Sequence, residues 1–215
     1  KSGVAATSKS MAVRAILPAG LALGVADPQA PPTPFWPGEE ISALPRRVAE
    51  YCAGRRAARD AMTALGLAAK PVPMGPDRAP IWPQGLTGSI SHSGSACFAA
   101  VGITADWRGL GIDLEPEVPL EPELWPTILR PEEIEVLADA TQAMALFVIK
   151  EAVYKAQYPI TKLLFGFEVL TVRLDRDRFE ARFTETQGAF AKGDIVGGKW
   201  QNCQGHIVAF AGLSR

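Results

Sequence analysis

Histidine and cysteine are scarce in this 215-residue chain: two of the first, His92 and His206, and three of the second, Cys52, Cys97 and Cys203. The cysteines stand singly, with no CxxC pair and no even-numbered set. That argues against a disulfide framework or a thiolate zinc site, and for core-packed thiols in a reducing compartment. No apolar run reaches the ~20 residues a membrane span needs. The net charge is only −1, so no bulk basic surplus points to a nucleic acid or an anionic lipid surface. The expectation is a soluble, cytoplasmic protein with no membrane and no nucleic acid as partner.

What is present suits a globular fold. The chain is 47% hydrophobic and 21% charged, long enough for one sizeable core or two small ones packed together. The first ten residues, KSGVAATSKS, read as an expression remnant. MAVRAILPAGLALGVA after them, interrupted by Pro18 and Gly20, reads as an opening pair of strands. Proline is concentrated between residues 28 and 45, an irregular connection. Apolar positions at helical intervals predict a helix over 45–65 with Gly66 as its stop, placing Arg55 and Arg59 on one face and Arg47 two turns before Arg55. The Pro-, Gly- and Ser-rich stretch 70–95 reads as a long structured loop.

Buried strands are expected over 96–103 and through GLGIDLE. Pro131 opens a helix whose first turn carries Glu132 and Glu133, suited to the helix dipole. Thr141 caps a second helix, TQAMALFVIKEAVYKAQY, which Pro159 ends. Period-two alternation gives a hairpin around 175–177 and a closing strand, HIVAFAGL. The reading is α+β, two similar α/β lobes joined near 104–109, one over 11–105 and the other over 106–215. No repeat is visible between them.

Charge is unevenly placed. Residues 46–80 hold seven basic against three acidic side chains, and residues 106–139 hold ten acidic against two basic. Solvated faces are the usual reason; a site holding phosphates and a metal would do the same. In GLGIDLEPE, Asp113 and Glu115 are two apart on a strand and share a face. They repel unless a cation lies between. In FVIKEAVYKA, Glu151 and Lys155 are four apart on one helix face, with Lys150 beside them. Such a pair alone is a surface contact worth at most ~0.5 kcal/mol. The helix is otherwise apolar, however, and buried charges need partners. Asp113, Glu115 and Glu151 together would make an all-oxygen site for Mg²⁺, with Lys155 and the arginines available to phosphates.

GIDLE followed by FVIKEAVYKA resembles the paired signatures (V/I)G(I/V)DxE and (F/W)xxKEAxxK of the 4′-phosphopantetheinyl transferases. RRVAEYCAGRRAA, RAPIWPQGLTGSISHS and YPITKLLFGFE extend the likeness, over 46–168, to the surfactin-synthetase and enterobactin-synthetase type. The resemblance implies a pseudo-dimeric two-lobed fold with the active site between the lobes. It implies transfer of the phosphopantetheine arm of coenzyme A to a serine of an apo acyl or peptidyl carrier protein, releasing adenosine 3′,5′-bisphosphate. Carriers of fatty-acid, polyketide, non-ribosomal peptide or siderophore assembly all qualify. Carried over, Asp113, Glu115 and Glu151 bind Mg²⁺, for which Mn²⁺ can substitute. Glu151, or a water it orients, takes the serine proton; Lys155 binds pyrophosphate, and Lys150 is a second donor or acid. Arg47, Arg55 and Arg78 match the coenzyme A-binding basic positions, Ser91 and His92 the phosphate-binding pair, and Phe165 a pantetheine contact. Paired motifs on one chain imply a monomer.

Two other readings stand beside this one. A serine hydrolase would use Ser93 next to His92, but Ser91 occupies the place where an elbow needs glycine. A non-catalytic coenzyme A- or nucleotide-binding protein on the same fold is the other; the presence of both Glu151 and Lys155 weighs against it.

Overall fold

The computed structural model describes residues 13–215; residues 1–12, which include Met11 and the stretch read as an expression remnant, lie outside the described residues. Val13 and Arg14 are helical, with Ile16 N donating to Val13 O at 3.2 Å and Leu17 N to Arg14 O at 3.2 Å. Only one strand, β1 (Ala22–Ala26), follows it. The expected opening pair of strands is therefore, in its described part, a turn and a strand, separated by Pro18 and by Gly20 at φ +83°.

Helix α1 (Pro45–Ala64) begins with proline at its first position, where a missing N–H costs nothing. It stops at Gly66, whose φ of +77° lets Leu67 N reach back to Met62 O at 3.0 Å. Strand β2 (Leu86–Ser93) pairs with β3 (Ala96–Ile103), and the sheet order is β1-β3-β2, all antiparallel. The stretch 70–95 is thus not all loop. Its last eight residues are a strand in which Thr87, Ser89 and Ser91 are buried in alternation. Hydroxyls fill the inward positions that apolar residues normally mark.

Strand β4 (Trp107–Pro116) leads through a short turn to α2 (Trp125–Ile128), α3 (Pro131–Glu135) and the long α4 (Ala140–Thr161). Then come β5 (Leu170–Asp175), β6 (Arg178–Phe183), β7 (Ile195–Cys203) and β8 (His206–Ser214), giving the antiparallel order β4-β8-β7-β6-β5. Two details of α4 differ from expectation. Its cap is Asp139, whose Oδ1 accepts from Gln142 N at 2.8 Å, rather than Thr141. Pro159 lies inside the last turn, which Lys162 N closes on Tyr158 O at 2.9 Å, with Lys162 left-handed at φ 57°.

The fold is α+β, four layers deep: α1, the three-stranded sheet, the five-stranded sheet, α4. Both faces of β3 are covered, which explains its unbroken apolar run. Cys97, Ala99 and Val101 meet α1, while Phe98 and Ala100 meet Ile112, Leu114 and Phe210 in a core shared by the lobes. A third core lies under α4. Helix α1 presses on its sheet at Gly24, and α4 on its own at Gly111 and, with a Cβ 2.1 Å from Ala156 O, at Gly109. A Cβ on Gly24 would sit 1.7 Å from Ala57 O, and one on Gly111 would sit 1.8 Å from Ala152 O. All three cysteines are buried and unbridged. Among the described residues no helix is long and apolar enough to cross a membrane.

Candidate active site

The lobes meet where β2 runs beside β4, and serines make the joint. Ser89 Oγ accepts from Ile112 N at 3.0 Å, Ser91 Oγ donates to Asp113 Oδ1 at 2.7 Å, and Ser93 Oγ donates to Glu115 Oε2 at 3.2 Å. The shared period of two brings every second residue of each strand together. Across them lies α4, pulled close at Gly111, with Glu151 and Lys155 one turn apart. Lys155 Nζ donates to Asp113 Oδ1 at 2.6 Å, to Ser91 Oγ at 3.0 Å and to Ile112 O at 3.4 Å. The cation demanded by Asp113 is therefore Lys155.

A cavity of about 240 Å³ opens here, lined by Ser91, His92, Asp113, Glu115, Glu151 and Lys155, with Ile90 and Phe147 as its apolar walls. Burial, then the Asp113 carboxylate, push the Glu115 carboxyl above its usual range. The same two causes raise Glu151, with Lys155 opposing them. Asp113 is 4% exposed, yet its Oδ2 is buried without a hydrogen-bond partner. Two raised carboxyls beside the Asp113 carboxylate, with one ammonium among them and one orphaned oxygen, make a site suited to a hard divalent cation. Among the described residues no three His, Cys, Asp or Glu side chains already converge on a single coordination point.

From the other lobe, Arg47 Nη1 donates to His92 Nε2 at 2.9 Å and approaches Glu50 Oε2 at 3.4 Å. Burial holds the His92 imidazole below its usual pKa, with Glu50 opposing. Accepting at Nε2, the ring is neutral and carries its proton on Nδ1. Arg55 is 7% exposed, stacked 3.8 Å above the Tyr51 ring, and its Nε donates to Val72 O at 2.9 Å. Burial lowers its pKa, and among the described residues it makes no salt bridge. A buried guanidinium without a counter-ion is a receptor for an anion. Arg59, on the same face, is engaged instead by the buried Glu39 at 2.9 and 2.8 Å.

Lys150, Phe165 and Arg78, like Arg47 and Arg55, are not among the residues that line the cavity. Lys150 is fully buried and turned away. Its Nζ donates to Glu133 Oε2 at 2.6 Å, Ile128 O at 2.8 Å and Phe167 O at 3.3 Å. It serves as a structural pin, not as a donor facing the carboxylates, because adjacent helical residues diverge by ~100°. Phe165 lines a separate pocket of about 100 Å³ that shares Glu151 with the main cavity. Arg78 is exposed in a tight loop at φ 64°. Sequence reasoning weighed Ser93 only as a hydrolase nucleophile and missed its contact with Glu115, although SISHS repeats serine at the strand period. It also missed Glu50, one turn from Arg47, and Tyr51, one turn before Arg55.

Residues 38–102 match the 4'-phosphopantetheinyl transferase N-terminal domain, and residues 109–211 match the 4'-phosphopantetheinyl transferase superfamily. The chain is 37% identical over 164 residues to 4'-phosphopantetheinyl transferase Svp of Streptomyces mobaraensis, covering 73% of this chain and 65% of that one. To 4'-phosphopantetheinyl transferase PptT of Mycobacterium tuberculosis it is 34% identical over 151 residues, 65% of each chain. To enterobactin synthase component D of Escherichia coli K12 it is 37% identical over 118 residues, 52% and 55% respectively. The chain thus spans less than two thirds of the length of these relatives. With one family description met on each side of the seam, the chain belongs to the 4′-phosphopantetheinyl transferase superfamily.

Proposed function

We propose that this protein transfers the 4′-phosphopantetheine arm of coenzyme A to a serine of an apo acyl or peptidyl carrier protein. The observation that carries the reading is the cavity at the β2–β4 seam, with Asp113, Glu115, Glu151 and Lys155 on one side and Ser91 and His92 on the other. In the reaction the carrier serine oxygen bonds to the β-phosphorus of coenzyme A. The bond from that phosphorus to the bridging oxygen breaks, and adenosine 3′,5′-bisphosphate departs.

Glu151 takes the serine proton. Its raised pKa makes it a stronger base than an exposed carboxylate. Lys155 neutralises the pyrophosphate and is held for that task by Asp113 and Ser91. Arg47, Arg55 and Arg78 bind the 3′-phosphate and adenine end, with His92 beside Arg47. Phe165 lies against the pantetheine arm, next to Glu151. Asp113, Glu115 and Glu151 would hold Mg²⁺, or Mn²⁺ in its place, which when bound would neutralise charge on the pyrophosphate and on the departing adenosine bisphosphate. All of these side chains come from one chain, which supports a monomer as the working unit.

Intact mass spectrometry of an apo carrier incubated with the protein, coenzyme A and Mg²⁺ is the test. Gain of one phosphopantetheine per carrier is expected. Acyl, peptidyl and aryl carriers that all stay unmodified, under conditions where coenzyme A binds, would leave only a non-catalytic binder.

A further inference from the structure

Loop 74–80 is closed by Gly75 N to Ala79 O at 2.8 Å and Arg78 N to Gly75 O at 2.9 Å, and by a bridge between Met74 and Pro80. At its tip Asp77 divides its carboxylate between two tasks. Oδ1 accepts from Ala79 N at 3.1 Å, folding the loop around Arg78. Oδ2 accepts from Tyr158 OH at 3.1 Å and Lys162 Nζ at 3.3 Å, both at the far end of α4, in the other lobe. Lys162 is itself fixed at the left-handed end of the helix, with its ammonium 4.9 Å above the Tyr158 ring. Desolvation is the largest single influence on the Asp77 carboxyl and raises its pKa, but the contacts from Ala79 N, Lys162 and Tyr158 together outweigh it and hold the group below the usual carboxylate range.

Between the two tasks stands Arg78, with φ at 64°. A side chain bearing a Cβ enters that region only at a steric cost, which its neighbours must offset. Nothing in the loop's own composition repays the cost, since Gly75 has a negative φ and the only proline on the tip is Pro76. What holds Arg78 is Asp77: one oxygen shapes the turn, the other moors it to the opposite lobe. Surface ion pairs taken singly stabilise little. Here three donors from two lobes share one carboxylate, and the output is the direction of a neighbouring guanidinium and not global stability.

We propose that Asp77 is a positioning residue, a strap that fastens the Arg78 loop across the seam to Tyr158 and Lys162 and so orients Arg78 toward the anionic end of the nucleotide. The proposal rests on the reading of Arg78 as a coenzyme A contact. Binding by a loop secured to α4 ties nucleotide affinity to the same helix that carries Glu151 and Lys155.

The test is calorimetric affinity for coenzyme A, alongside KM and kcat, in the full-length protein. Asp77→Ala should weaken coenzyme A binding about 5- to 10-fold, with KM following and kcat little changed. Tyr158→Phe combined with Lys162→Met, which leaves the turn inside the loop intact, should reproduce most of that loss. Asp77→Asn, whose single oxygen keeps the acceptor for Ala79 N while its amide N–H can donate to the Tyr158 hydroxyl, should recover part of it. In an Arg78→Ala background the Asp77→Ala change should add almost nothing, because Asp77 acts through Arg78. An undiminished Asp77 effect in that background overturns the strap, as does wild-type affinity in both the Asp77→Ala and the Tyr158→Phe/Lys162→Met variants. Wild-type protein that binds no coenzyme A would instead overturn the functional reading, and the strap with it.

Discussion

Gly111→Ala tests how closely α4 must approach β4. The added Cβ would sit 1.8 Å from Ala152 O and 2.8 Å from Ala156 N, both backbone atoms that cannot rotate aside. Restoring an ordinary contact of about 3.5 Å means that helix and strand must part by roughly 1.5 Å. Overpacking of this kind costs ~1–3 kcal/mol, and each kcal/mol lowers Tm by ~2–4 °C in a chain of this size. The larger effect falls on chemistry. Glu151 and Lys155 ride on the displaced helix, and the 2.6 Å contact from Lys155 to Asp113 opens. A misplacement of ~1 Å can cost ~10²-fold in rate, so kcat should fall by at least that factor while the protein stays folded at 25 °C. Gly24→Ala is the matched control. Its Cβ would meet Ala57 O at 1.7 Å, the same steric insult, but α1 carries Arg47 and Arg55 and no carboxylate of the cavity. It should lower Tm comparably and raise the KM for coenzyme A, with kcat affected far less. Mass-spectrometric turnover and thermal melts on the two variants decide the matter. Equal kcat losses, or a Gly111→Ala protein with unchanged Tm and kcat, would refute the argument that the glycine sets the site's geometry.

Glu151→Gln should leave kcat depressed ~10²–10⁴-fold even at saturating Mg²⁺, the range for a lost general base. Because burial and Asp113 raise the Glu151 pKa, wild-type activity should fall as pH drops through a value above the usual carboxylate range. The Gln variant should lack that acidic limb; a retained limb would place the base elsewhere. Lys150→Met should lower stability by ~3–5 kcal/mol by leaving Glu133 buried and unpaired, measured by urea denaturation, while the folded fraction keeps its turnover within a few-fold. Loss of turnover with stability intact would restore Lys150 to the chemistry. Arg55→Ala should cost ~1.5–3 kcal/mol in coenzyme A binding, and much less with 3′-dephospho-coenzyme A; an equal loss on both ligands would make Arg55 purely structural.

Much of this architecture is legible from local pattern, and the misses share a physical cause. Helix α1, strands β3 and β4 and the β5–β6 hairpin announce themselves by periodicity and by turn residues such as Gly66. Strand β2 hides because Thr87, Ser89 and Ser91 occupy its inward positions, and hydroxyls are silent to a reading based on hydropathy. Strand β7, IVGGKWQNC, hides because Gly198 follows Val196 on the inward side and leaves the apolar alternation without a side chain. Within the site, the spacing of Asp113 to Glu115 and of Glu151 to Lys155 fixes shared faces, so that Lys155 can be found as the missing cation. The role of Lys150 is decided by Glu133, seventeen residues earlier, and by carbonyls of Ile128 and Phe167. No local pattern encodes that meeting. The same holds for Gly24 and Gly111, lone glycines whose purpose appears only when a helix lies on them.

The joint between β2 and β4 also bears on solubility. Each is the outermost strand of its own sheet, so each would offer a row of free peptide groups to any passing strand. At Ile112 both groups are covered by side chains instead, the N–H by Ser89 and the carbonyl by Lys155. One edge thereby shields the other without the two sheets fusing into one. A fragment ending near residue 105 would expose β2 together with the apolar face of β3, and its complement would expose β4. Either half expressed alone should therefore be driven to aggregate, and the hydroxyls that shape the cavity are at the same time what keeps the whole chain from sticking to its neighbours.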